Sequence, residues 1–194
     1  MSFRDWFWLL VGERRETVLA RIAASLRELA DYAAANRVTI LIENSGDFTD
    51  SNAMWYLVDA VNSPAVKCLW NPLSAALRRE RPTTSIPRLG AKVGMIHISD
   101  GKFGADGSFE GYAVPGQGNV ELPRMIQLLK GIGYRGYLCL DWPKLWNPAL
   151  AEADKVFPAA AQFLQKHFDE KPVTLSAYKG DKYAPKFDLE SVEQ

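Results

Sequence analysis

Apolar and polar positions alternate along the chain in two periods, one helical and one extended. From Glu13 to Asn36, Val18, Leu19, Ile22, Leu26, Leu29, Ala30 and Ala33 recur at three- and four-residue spacing. This predicts an amphipathic helix that Asn36 closes. Short apolar runs follow at Val38–Glu43 (VTILIE), Ala65–Asn71 (AVKCLWN), Lys92–Ser99 and Gly136–Trp142 (GYLCLDW). Each reads as a buried strand bounded by turn residues. Helical spacing returns between them. Thr49 or Asp50 caps a helix to about Val61 that Pro64 ends; Pro72–Pro87 is helical in part; Glu121–Gly131 and about Pro148–His167 are helices. Residues 101–118 are rich in glycine and lack a period, so they read as a long loop. Strands alternating with helices predict right-handed βαβ units, hence an α/β fold with a parallel sheet and helices on one face.

The predicted strands end on polar residues: Glu43, Asn71, His97 followed by Ser99 and Asp100, and Asp141. In a parallel sheet or barrel these ends share the C-terminal edge, where such folds place their chemistry. Two carboxylates, an imidazole and an amide oxygen could together hold a divalent cation such as Mn²⁺ or Mg²⁺. The alternative is four unrelated acceptors, each satisfied by its own loop. Arg78, Arg79 and Arg81 are either a solvated helix face or an anion clamp.

Composition narrows the classes. The 194 residues are 47% hydrophobic and 24% charged, which suits one globular domain with a sizeable core. Lys+Arg and Asp+Glu are both 23, so no basic excess points to nucleic acid or an anionic membrane. The run Trp6–Val11 is too short to span a bilayer and lacks a basic leader. Cys68 and Cys139 fall inside predicted strands and read as core residues of a protein in a reducing, cytoplasmic setting. Residues 168–194 form a charged, proline-containing tail beside a domain spanning residues 1–167.

Four stretches carry a resemblance: LRELADYAAANRVTILIEN, LWNP, IHISDGK and PGQGNVELPRMIQLLKGIGYRGYLCLDWPKLW, running from Leu26 to Trp146. In order and spacing they resemble the xylose-isomerase-like barrels described as sugar phosphate isomerases/epimerases. The resemblance implies parallel βα units of a (β/α)8 barrel. The stretches cover only its second half, about four strands. It also implies a divalent metal held at Glu43, Asn71, His97 and Asp141, with Glu43 and Asp141 as the proton-transfer pair. Ser74, Asp100, Lys144 and Trp146 are the implied substrate contacts, and a sugar or sugar phosphate is the implied small-molecule partner. Gly116 and Gly118 match the loop before the last helix–strand unit.

The departures from the family pattern fall on the site. Asn71 stands where the family has Asp, Ser74 where it has His, and Asp141 where it has Glu. Pro143 and Asn147 stand where one branch has Glu and His. Only Glu43 and His97 keep the family's ligand identity. Three readings follow: an isomerase or epimerase with a weakened or absent metal, a non-catalytic sugar-binding or structural relative, and a half-barrel that pairs with a second copy or a partner chain. Four parallel strands alone would leave two sheet edges open, which favours pairing.

Overall fold

The computed structural model describes residues 14–169. The apolar run Trp6–Val11 and the tail beyond Asp169 lie outside the described residues. Helix α1 (Arg15–Ala35) leads into β1 (Ile40–Glu43), α2 (Ser51–Val61), β2 (Val66–Trp70), α3 (Pro72–Ala76) and α4 (Pro82–Leu89). A 3-10 turn at Gly90–Lys92 opens β3 (Val93–Ile98). Then come β4 (Asp100–Phe103), β5 (Phe109–Ala113), α5 (Leu122–Gly131), β6 (Tyr137–Leu140) and α6 (Ala153–Asp169).

The expected strands form one four-stranded sheet in the order β1-β2-β3-β6, all parallel. Each new strand joins the same side of the last. With right-handed crossovers this singly wound order puts every connecting helix on one face, as in a barrel wall. The helix-covered face is the core: Cys68, Ile96, Ile98, Met54, Ile86 and Met125 are fully buried there. Small residues Ala23 and Ala30 are buried where α1 packs against α2. The residues between these point to the other face. Met95 and His97 are half-buried, Cys139 is exposed and Tyr137 is 81% exposed.

Local signals account for most boundaries. Asn36 closes α1 and Asp50 caps α2 by accepting from the Ala53 amide. Asn62, at φ 52°, terminates α2 before Pro64 is reached. Three expectations need correction. Residues 101–118 are not all loop, because β4 and β5 pair as an antiparallel hairpin. Phe103 packs on Phe109 at 5.6 Å and Phe109 on Tyr112 at 5.4 Å, and these contacts hold a ribbon whose glycines hide its period. Cys139 is not a core residue, because it faces the open side of the edge strand β6. The last helix starts at Ala153 rather than near Pro148 and runs through Pro158 to Asp169.

Candidate functional site

Glu43 is the last residue of β1, His97 lies near the end of β3, and Asp141 follows β6, its amide extending the ladder to Ile98 O at 3.0 Å. Asn71 follows β2. All four sequence-derived residues meet at the C-terminal edge of the sheet. His97 Nδ1 lies 2.9 Å from Glu43 Oε1. One donor atom each from Glu43, His97 and Asp141 falls within 4.8 Å of the other two, a grouping that could hold a metal ion. Adjacent ligands of an octahedral ion with ~2.1 Å bonds lie roughly 3 Å apart. The His97–Glu43 separation therefore suits two neighbouring ligands as well as a hydrogen bond, and the donor chemistry fits a divalent cation.

Asn71 is oriented by the helix that follows it. As N-cap of α3, its Oδ1 accepts from the amides of Leu73 at 3.1 Å and Ser74 at 3.5 Å. That turns its amide nitrogen to the site, where Nδ2 donates to Glu43 Oε1 at 3.2 Å and to Asp141 Oδ2 at 3.1 Å. Sequence reasoning missed the residue that fixes Asn71. Asn44, fully buried, accepts from the Asn71 amide at 2.6 Å and donates to the Asn71 carbonyl at 3.0 Å. The available signal was its place directly after a ligand-bearing strand end.

The four expected substrate contacts divide. Asp100 is 2% exposed, and its carboxylate accepts from four backbone amides: Gly101 at 2.8 Å, Gly116 at 2.9 Å, Gly118 at 3.0 Å and Val120 at 3.2 Å. It faces inward and ties the loop before α5 to the hairpin. A Cβ at Gly118 would penetrate Asp100 Oδ1 and the Gly101 carbonyl, so only glycine fits that approach. Lys144 Nζ donates to the carbonyls of Pro148 and Leu150, both at 2.6 Å, and pairs with Glu152 at 2.7 Å, which occupies its three donors. Ser74 is half-buried beside Asn71, and Trp146 is 84% exposed in the loop after β6. Of the three arginines, Arg79 donates to the Asp106 carbonyl at 2.8 Å, Arg81 grips Glu121 in a fork at 2.7 and 2.9 Å, and Arg78 is exposed.

A singly wound parallel sheet with its helices on one face and polar side chains gathered at its C-terminal edge is the arrangement of a (β/α) barrel wall. The family model described as xylose isomerase-like TIM barrel matches residues 7–167, and the chain belongs to that family. Among solved structures it is similar to a D-allulose 3-epimerase from Methylomonas sp., with 22% identity, TM-score 0.64, and coverage of 79% of this chain and 57% of that one. It is similar to an L-ribulose 3-epimerase, with 17% identity, TM-score 0.66, and coverage of 89% and 61%. It is also similar to a probable 3-DHS dehydratase from Bacillus anthracis, with 17% identity, TM-score 0.61, and coverage of 74% and 55%. At these identities the likeness shows the fold. The chain spans somewhat over half the length of these three structures. Among curated proteins none matches the chain.

Proposed function

We propose that this protein is a sugar or sugar phosphate isomerase/epimerase-like protein with a weakened cation site. The observation that carries the reading is the meeting of Glu43, His97 and Asp141 at the sheet edge where the family places its ligands. A divalent ion, when bound, supplies Lewis acidity toward a sugar carbonyl and its neighbouring hydroxyl. His97 and the two carboxylates would hold it. Glu43 and Asp141 come from opposite edge strands of the sheet, so they can flank one sugar carbon. One carboxylate takes the proton from the carbon next to the carbonyl and the other returns a proton on the opposite side. Trp146 offers an apolar ring to the sugar and Ser74 a hydroxyl.

The weakening follows from charge and reach. A neutral amide at position 71 removes one negative charge from the set that attracts a hard cation. The side chain of Asp141 is one methylene shorter than the family's Glu. Calorimetric titration with Mn²⁺, paired with a ketose epimerisation assay on D-allulose, tests the reading. The expected result is weak binding that His97→Ala abolishes, with slow turnover or none. Tight stoichiometric binding with fast turnover refutes the weakening. Binding that survives His97→Ala refutes the site.

A second reading has its own observation. Among the described residues β1 and β6 each leave one edge unpaired, and Tyr137 stands open on the uncovered face. Parallel sheets are almost always covered on both faces. We propose that a second copy or a partner chain covers this side, completing the wall that the sugar site needs.

A further inference from the structure

Two carboxylates aimed at one point repel each other unless something positive lies between them. In this protein the Asn71 amide fills that role, since its two N–H groups reach one oxygen of Glu43 and one of Asp141. Resting on the cation-site reading above, we propose that Asn71 is an internal competitor for the cation and not a fourth ligand. Its side chain holds the carboxylates together in the metal-free protein and must give way before an ion can bind.

The orientation is forced from behind. Rotating the amide to bring Oδ1 toward a cation would set its NH₂ group against the Leu73 and Ser74 amides, donor against donor. The cap of α3 would be lost and two backbone amides left without an acceptor. Asn44 clamps the Asn71 backbone from both its amide and its carbonyl, so the residue cannot shift as a whole to escape the conflict. An ion therefore meets a donor pair where the family pattern offers it an acceptor. Admitting the ion breaks two charge-assisted hydrogen bonds or uncaps the helix.

Asn71→Ser separates the two roles. Serine is as good an N-cap as asparagine, adds no charge, and is too short to bridge the carboxylates. Asn71→Asp is the companion variant, since it can cap with one oxygen and ligate with the other. Mn²⁺ affinity is read by calorimetry, and melting is followed in chelator and again in excess Mn²⁺. If Asn71 competes with the ion, Asn71→Ser binds Mn²⁺ about tenfold more tightly than the unmodified protein, the scale set by losing a hydrogen bond to a charged group. Its metal-free form melts lower, and Mn²⁺ restores it. An affinity in Asn71→Ser equal to or below the unmodified protein's overturns the inference while leaving the cation site standing. No binding by any form, Asn71→Asp included, overturns both.

Discussion

Replacing Asp100 by Asn tests whether this carboxylate organises the site's loops or waits for a ligand. The change keeps volume and removes charge. In the native protein each carboxylate oxygen accepts from two amides: Oδ1 from Gly101 and Val120, Oδ2 from Gly116 and Gly118. Asparagine has one acceptor oxygen. Whichever way it turns, its NH₂ group faces two backbone N–H groups, and one pair of donors loses its acceptor. Hydrogen bonds to a charged group contribute roughly 1.5–3 kcal/mol, and a buried donor left unsatisfied costs about 1–3 kcal/mol. Water can reach the Gly116 and Gly118 side, which lowers the sum. The expected loss is about 3 kcal/mol, taken as one buried donor fully lost and one partly rehydrated. For a chain of this size that is a fall of roughly 6–12 °C in melting temperature. Circular dichroism melts of Asp100→Asn and the unmodified protein measure it directly. If Asp100 is a substrate contact instead, the variant keeps its melting temperature and loses only sugar binding. A melting temperature within about 2 °C of the original would refute the structural argument.

Two further outcomes follow from charge and burial. The Arg81 fork holds the Glu121 carboxyl below its ordinary value of 4.5, against the opposing pull of partial burial. Asp50 is likewise held below 3.8: burial pushes its carboxyl up, and the Ala53 amide and Arg15 more than offset that. Both folded values lie below the unfolded ones, so the stability they contribute is complete above about pH 4.5 and drains away as pH falls through the folded values. In urea titrations Arg81→Ala should be less stable than the unmodified protein at pH 7. The gap should close at acid pH, and a gap that widens below pH 4 contradicts the assignment. For the open face the probe is a maleimide. Burial, with the Glu43 charge adding, pushes the Cys68 thiol up to about 12, so it should resist labelling until urea unfolds the chain. Cys139 should react at once in a monomer and be shielded in an assembly that covers the sheet. Rapid labelling of both cysteines in the native protein is the refuting result.

The strand ends were legible because a strand end is written locally. Each apolar run stops at a polar residue, and the alternation with helices sets the parallel order. What the runs could not reveal is which face each residue takes. In GYLCLDW nearly every position is apolar, so nothing in the sequence marks Tyr137 and Cys139 as outward and Leu138 and Leu140 as inward. The hairpin at residues 100–113 escaped notice for a different reason. Gly101, Gly104, Gly107 and Gly111 break the period-two pattern, and the ribbon is held by aromatic contacts between residues six apart in sequence, Phe103 and Phe109. Asp100 reads as a substrate contact in the sequence because it closes the IHISD run. Its actual partners, Gly116, Gly118 and Val120, come from a loop that a linear reading treats separately.

Asn71 carries this furthest. Its position could be read from the sequence, but its direction could not, since direction depends on what α3 demands of it. An aspartate there can cap the helix with one oxygen and leave the other for a cation. Asparagine replaces that second oxygen with NH₂, and the cap decides which end keeps the remaining oxygen. The backbone is served equally well by either residue, so the fold survives the exchange without strain. On the reading proposed above the site does not, because an acceptor becomes a donor where the two carboxylates meet. Retention of a family fold is therefore weak evidence for retention of its chemistry. Here the first turn of a short helix decides whether the fourth corner of the site accepts a cation or competes with it.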